Sequence, residues 1–293
     1  MGEHVVARVA RWCGDVTEVG AAPGTSTGIS DVGGRRTVDF RGGRAVIDER
    51  GGGTTVGYLH GPIGCPPLHP FLDVLADRCR VVAPSLPGCT GSDLCDDIRG
   101  MHDWVVAVSE LVDLAGMAGR PLVASSTGAM LALELAAVRP EAFTHMVLVA
   151  PLGLWVDDDP VADPFGTTLT RQRELLTADP ARTAPFFDDV EGRDPAGLAD
   201  DGVARYTTRT AAASLVWPIP EFGLASRLHL VRCPVTLVWG ESDRFNPPSY
   251  LERYAAALAN VVETRLVPAA GHLVEWDEPA IVADVLWKMI GLR

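Results

Sequence analysis

Ser126, Asp243 and His272 are the side chains of this 293-residue chain whose types and order suit nucleophilic catalysis. A serine hydroxyl attacks weakly near neutral pH unless a base takes its proton, and a neutral imidazole is suited to that task. The imidazole in turn needs a carboxylate to fix its tautomer and stabilise its cation. Ser126 stands in Val123-Ala124-Ser125-Ser126-Thr127-Gly128, with a small residue two positions before it and two after. A nucleophile raised on a sharp strand-to-helix turn requires that frame, because larger side chains clash in so tight a bend. Ser125 offers a competing hydroxyl, but the frame fits Ser126 only. By itself a serine in such a turn is more often structural than catalytic. Asp243 closes Trp239-Gly240-Glu241-Ser242-Asp243, and His272 closes Val267-Pro268-Ala269-Ala270-Gly271-His272. Each follows an apolar run, so the three residues would gather at the C-terminal edge of a sheet, where open α/β sheets collect ligands and catalysts.

The elements that must hold them follow from the hydropathy pattern. Three short strands are predicted over Arg36–Phe40, Arg44–Asp48 and Thr54–Leu59, with Gly42-Gly43 suited to a hairpin. Helical and strand-like segments then alternate: a helix over Pro70–Asp77, a strand over Arg80–Ala83, a helix over His102–Gly116, a strand over Pro121–Ser125, a helix over Gly128–Val138 and a strand over His145–Ala150. The strands lack polar alternation, which fits burial on both faces. Near Pro151 the alternation stops, and a mostly helical, acidic stretch runs to about Leu230. A strand over Val235–Trp239, a helix over Pro248–Ala259, a strand over Glu263–Val267 and a helix over Ala280–Ile290 complete the chain. The expected fold class is α/β, a mostly parallel central sheet flanked by helices, with a helical insert. The expected divisions are an N-terminal arm at 1–35, a core at 36–151 and 231–293, and a helical cap at 152–230. In the arm, Val5, Val9, Trp12, Cys13 and Val16 have helical spacing, and Gly20–Gly34 reads as a linker.

From residue 36 onward the chain resembles the α/β-hydrolase-fold serine hydrolases that carry a cap domain. The resemblance rests on the Ala124–Gly128 elbow, the Asp243 and His272 loops, and His60-Gly61-Pro62-Ile63-Gly64-Cys65 after the third strand. It implies Ser126 as nucleophile, Asp243 as acid and His272 as base. A serine at the elbow argues against the dehalogenases and epoxide hydrolases of this fold, which place an aspartate there. The resemblance also implies an oxyanion hole from the Thr127 N–H and a donor in the His60-Gly61 loop. There Pro62, at the usual donor position, has no N–H, so either Ile63 supplies the donor or Thr127 acts with a water or a side chain. Loss of one such donor costs about 2.7–4 kcal/mol of transition-state stabilisation. Pro84-Ser85-Leu86-Pro87-Gly88-Cys89-Thr90-Gly91-Ser92 resembles the family's glycine-bearing loop before a serine. Asp243-Arg244-Phe245 and the Trp276 that follows His272 by four residues resemble, more weakly, the meta-cleavage-product hydrolases that break carbon–carbon bonds.

Substrate choice is expected in the insert and its rim. His60, Gly61, Ser125, Trp155, Trp217, Phe245 and Trp276 are the candidate substrate-binding residues, with Leu154, Phe165, Phe186, Phe187 and Phe222 as further apolar candidates. Arg171, Arg173, Arg205 and Arg209 could grip a carboxylate or simply pair with neighbouring acids. With 25 Lys+Arg against 38 Asp+Glu, the net charge of −13 argues against nucleic acid and anionic membranes as partners. The six cysteines form no C-x-x-C pair, and the triad chemistry calls for no metal or cofactor. The Met1-Gly2-Glu3-His4 start carries no leader pattern, so the expectation is a soluble, cytoplasmic protein acting on a small molecule, with a homodimer left open. Three functions fit these residues: hydrolysis of a small ester, lactone or vinylogous ketone; acyl transfer in a secondary-metabolite pathway; or ligand binding without turnover.

Overall fold

The computed structural model describes residues 34–66, 69–183 and 194–292. The N-terminal helix expected around Val5–Val16, the linker that follows it, Cys13, Phe186 and Phe187 lie outside the described residues. Strands β1 (Arg35–Phe40), β2 (Gly43–Arg50) and β3 (Thr54–Leu59) are followed by helix α1 (Pro70–Ala76), β4 (Cys79–Pro84), α2 (Met101–Leu114), β5 (Arg120–Ser125), α3 (Ser126–Val138) and β6 (Phe143–Val149). After the insert come β7 (Val235–Gly240), α6 (Tyr250–Ala257), β8 (Val261–Val267), the single-turn α7 (Val274–Asp277) and α8 (Pro279–Met289). The insert itself carries α4 (Leu169–Leu176), α5 (Pro195–Val216) and short 3-10 turns.

All eight strands join one sheet in the order β1-β2-β4-β3-β5-β6-β7-β8. β2 runs antiparallel to β1 and β4, and the remaining pairings are parallel. The chain leaves β3 in one direction for β4, then crosses back to place β5 on the other side of β3. Such a reversal opens a crevice at the C-terminal ends of the two strands, because the loops leave to opposite sides. The loop after β3 begins with His60-Gly61, and the turn after β5 carries Ser126. The topology therefore brings together two segments that sequence analysis assigned to one reaction centre.

Both faces of the sheet are covered, which explains the unbroken apolar runs of β6 and β7. One core layer joins α2, α3 and α6, through Trp104, Leu111, Leu131, Leu135 and Tyr254 among others. The other joins α1 and α8, through Phe71, Leu72, Val282 and Leu286. α3 is buried along nearly its whole length and has little amphipathic contrast, so its alanines and leucines face protein all round. Its one acid, Glu134, is buried and held by a two-pronged ion pair from Arg227, at 2.6 and 2.8 Å, which also donates to the Phe222 carbonyl. The pair ties the helix behind Ser126 to the end of the insert.

Among the described residues no helix is long and apolar enough to cross a membrane. Cys65, Cys79, Cys89, Cys95 and Cys233 are unpaired and buried, and burial pushes the Cys65 and Cys89 thiols up to about 12.

Arg227→Ala leaves a buried carboxylate without its counter-ion, a change that costs about 3 kcal/mol. The expected outcome is a lower urea midpoint, largely restored when Glu134→Leu is added, since the second change removes the stranded charge.

Candidate active site

The backbone at Ser126 has φ 51, in the left-handed region that non-glycine residues rarely occupy. This conformation breaks β5 and starts α3 within one residue, so the Ser126 side chain stands out of the bend. Crowding around the bend explains the small-residue frame. A Cβ on Gly128 would lie 2.5 Å from the carbonyl oxygens of Leu59 and His60, both backbone atoms of the neighbouring strand end. A Cβ on Gly61 would lie 3.2 Å from the Ser126 Cβ. The third strand's loop and the serine turn therefore pack with no room for side chains between them.

The Ser126 hydroxyl donates to His272 Nε2 at 2.7 Å, and His272 Nδ1–H donates to Asp243 Oδ2 at 2.8 Å. All three residues are buried. The other Asp243 oxygen accepts the backbone N–H groups of Phe245 and Asn246, at 2.9 and 2.8 Å. Asn246 then donates its amide to the Pro151 carbonyl, which anchors the Asp243 loop to the end of β6. Phe245 sets its ring edge-on to the imidazole at 4.5 Å. A second carboxylate holds the His272 loop from behind. Asp277 Oδ2 accepts from Gly271 N and from Ala178 N, both at 2.8 Å, while Leu273 N donates to the Leu176 carbonyl. The imidazole's loop is thus fastened to the end of α4 in the insert.

On the opposite side, Gly61 through Gly64 form a turn closed by Gly64 N–H to Gly61 O at 3.2 Å. Pro62 supplies the corner and no N–H. Among the described residues no backbone carbonyl accepts from Ile63 N–H. Thr127 lies in the first turn of α3, where helix N–H groups lack intrahelical acceptors.

The other residues singled out in the sequence divide by position. The His60 ring is fully committed to backbone: Nδ1–H donates to Gly61 O at 2.8 Å and Nε2 accepts from Leu86 N at 2.9 Å. It latches the loop after β3 to the loop after β4, where Ser92 also donates to Ser85 O. Neither ring nitrogen is left for a substrate. Ser125 and Trp276 are buried, the indole lying 4.6 Å from the His69 ring. Trp155 donates to Asp157 and packs against the core, whereas Trp217 is 59% exposed at the mouth of a crevice shared with Leu152, Val161, Phe165 and Phe245. Arg171 pairs with Glu174, and Arg209 donates to the Phe165 carbonyl. Sequence reasoning missed Asn246, Asp277, His69, Tyr58 and Glu275. Asn246, Glu275 and Asp277 lie within five residues of Asp243 or His272, which offered a signal, whereas Tyr58 and His69 are brought to the site by contacts distant in sequence.

Burial holds His60 down to about 4 and His69 down to about 3. For His69 the nearby Arg50 charge acts in the same direction.

An eight-stranded sheet with a serine on a left-handed strand-to-helix turn, bonded to a histidine and an aspartate from later strand ends, defines a hydrolase of the α/β class. The chain belongs to the alpha/beta hydrolase family, whose sequence profile matches residues 52–285. It is 26% identical over 213 residues to a 2-hydroxy-6-oxo-6-phenylhexa-2,4-dienoate hydrolase of Burkholderia cepacia, covering 68% of this chain and 72% of that one. It is 25% identical over 215 residues to a 2-hydroxy-6-oxononadienedioate/2-hydroxy-6-oxononatrienedioate hydrolase of Comamonas testosteroni, covering 68% and 72%. Among solved structures, a meta-cleavage product hydrolase of Pseudomonas fluorescens shares the fold with a TM-score of 0.69 at 15% identity, over 87% of this chain and 97% of that one. Naproxen esterase of Bacillus subtilis does so with a TM-score of 0.66 at 16% identity, over 88% and 91%.

Two outcomes follow from this packing. Gly128→Ala forces the Leu59 and His60 carbonyls to shift, and overpacking of this kind costs about 1–3 kcal/mol, read as a lower denaturation midpoint. His60 and His69 are neutral in the folded state, while the unfolded chain gains a proton on each below the ordinary value of 6.5. Their contribution to stability is therefore present above about 6.5 and lost as the pH falls toward their folded values. His69→Phe removes a buried ring whose nitrogens make no hydrogen bond. It should leave stability near neutral pH unchanged or raised and lessen the acid loss, as measured by urea midpoints on both sides of 6.5.

Proposed function

We propose that this protein is a cofactor-independent serine hydrolase acting on a small, largely apolar ester, lactone or vinylogous ketone. In this reading Ser126 is the nucleophile, His272 the general base and Asp243 the acid that orients it. The observation that carries the reading is the continuous relay from Ser126 Oγ through His272 to Asp243, at 2.7 and 2.8 Å, in a buried site. As Ser126 Oγ attacks a carbonyl carbon, its proton passes to His272 Nε2. The imidazolium so formed faces Asp243, whose charge is already fixed by two backbone N–H groups. The tetrahedral oxyanion is received by the N–H groups of Thr127 and Ile63, with Pro62 shaping the turn between them and Gly61. His272 then gives the proton to the leaving group, an alcohol oxygen or the carbanion carbon of a vinylogous ketone. A water deprotonated by the same imidazole releases the acyl group.

The substrate class is supported by two things. The crevice beside Phe245 is lined by Leu152, Val161, Phe165, Val216 and Trp217. The curated relatives are named as hydrolases of oxo-dienoates, which are vinylogous ketones. The crevice has about 20 Å³ of free space, well below the roughly 300 Å³ that a small-molecule pocket needs. Phe245, whose ring meets the His272 imidazole at 4.5 Å, joins the crevice to the reaction centre. A small-molecule partner and a cap formed by residues 152–230 belong to this same reading.

Intact mass after exposure to a fluorophosphonate probe tests the assignment. One adduct on the wild-type protein is expected, absent in Ser126→Ala and formed much more slowly in His272→Ala. With a substrate in hand, Ser126→Ala should lower kcat by ~10³-fold or more. A folded wild-type protein that takes no adduct at any pH would overturn the assignment in favour of a binding protein.

A further inference from the structure

A second carboxyl lies directly behind the nucleophile, and the reaction scheme does not use it. Glu275, on α7 three residues after His272, is fully buried. Its Oε1 accepts a hydrogen bond from the Tyr58 hydroxyl of β3 at 3.2 Å. Its Oε2 is buried with no hydrogen-bond partner, and so is the Ser125 hydroxyl at the end of β5. The two orphaned groups are neighbours, close enough that the Ser125 hydroxyl favours the Glu275 anion. Ser125 immediately precedes Ser126, and its Oγ would lie 3.4 Å from a Cβ placed on Gly61. A line of polar groups thus runs from Tyr58 through Glu275 to Ser125, beneath both the serine turn and the loop that faces it.

The charge that acts on Glu275 is that of His272, three residues earlier, and it favours the anion. From β3 it meets Tyr58, whose hydroxyl burial keeps protonated, and beyond Tyr58 lies Cys65, likewise held as a thiol. Ahead of α1 lies His69, neutral and packed between Tyr58 and Trp276. His272 precedes it in the chain, and Asp277 on the same turn is taken up by Ala178 and Gly271. Charged groups on the other packed elements, Asp73 of α1, Arg182 of the 3-10 turn, and Asp284 and Lys288 of α8, are exposed to solvent. β7 carries no ionisable side chain. Burial outweighs the groups that favour the anion and pushes the Glu275 carboxyl up to about 7. A neutral carboxyl also resolves the two orphans, because a carboxylic acid has one O–H donor to give and Ser125 Oγ can accept it.

We propose that Glu275 is a positioning residue that works as a neutral carboxylic acid, donating to Ser125 and so holding the residue before the nucleophile, and that its ionisation turns the site off. The inference rests on Ser126 being the nucleophile. Loss of activity on ionisation follows from charge: an unpaired anion behind Ser126 opposes the negative charge that develops on the substrate oxygen during attack.

The test compares wild type, Glu275→Gln, Glu275→Leu and Ser125→Ala in two measurements across the pH range. The first is the rate of fluorophosphonate labelling. Wild-type labelling should fall as pH rises through about 7. Glu275→Gln, uncharged and still a donor, should keep the rate seen below that pH to within about 3-fold and lack the fall. Glu275→Leu should be slowed by about 10-fold or more with no such fall, and Ser125→Ala should be slowed as well. The second is the melting temperature, which needs no active serine. The folded protein holds the Glu275 proton up to about 7, whereas the unfolded chain releases it near the ordinary value of 4.5. Wild type should therefore lose stability relative to Glu275→Gln as pH rises between these values, and no further above them. A melting difference that does not change with pH, or a labelling profile that Glu275→Gln shares with wild type, overturns the inference while leaving the Ser126 assignment standing. Absence of labelling in folded wild type at every pH overturns both.

Discussion

The left-handed backbone at Ser126 is the constraint on which the rest of the structure depends. A non-glycine residue at φ 51 is strained, and such a conformation persists only where its surroundings over-determine it. Here they do so from three sides. Gly128 lets α3 start against the carbonyls of Leu59 and His60, Gly61 lets the loop after β3 lie against the serine, and the Leu152 N–H donates to the Ser126 carbonyl. The reversal of strand order between β3 and β5 makes this crowding possible, because it places the two strand ends side by side with their loops diverging.

Around that bend each loop is held by a polar group turned inward. Asp243 is fixed by two backbone N–H groups, the His272 loop by Asp277, and the loop after β3 by the His60 ring. Buried polar groups are costly unless bonded, so each of these admits few alternative arrangements. The relay distances of 2.7 and 2.8 Å express that restriction, since neither His272 nor Asp243 is positioned by its own strand alone. The same logic sets Glu275 apart, as a buried carboxyl with one oxygen bonded and the other not.

The insert between β6 and β7 is joined to the core by directional contacts. Leu273 N bonds to Leu176 O, Asp277 reaches Ala178, and Thr90 N donates to Thr208 on α5. The arginines of the insert that could have suggested a carboxylate-bearing substrate have other engagements where their partners are defined: Arg171 with Glu174 and Arg209 with a backbone carbonyl. The apolar lining beside Phe245 then carries the substrate argument.

Much of the fold was legible in the sequence because it is encoded locally. Strands buried on both faces read as unbroken apolar runs, and β5, β6 and β7 lie within a residue or two of the predicted ranges. The elbow was legible because steric crowding there demands small residues at 124 and 128, and Asp243 and His272 because each follows a strand. The sequence also determined that His60 and Gly61 follow the third strand, but not what the ring does. Only the folded chain could assign it to Leu86 and Gly61, turning an expected substrate contact into a latch. The same holds for Tyr58 and Glu275, which meet across 217 positions, and for Glu134 and Arg227 across 93. Hydropathy periodicity records which side of an element faces water; it carries no term for which buried polar group finds which partner. That pairing is decided by how the sheet orders its strands and brings their loops together.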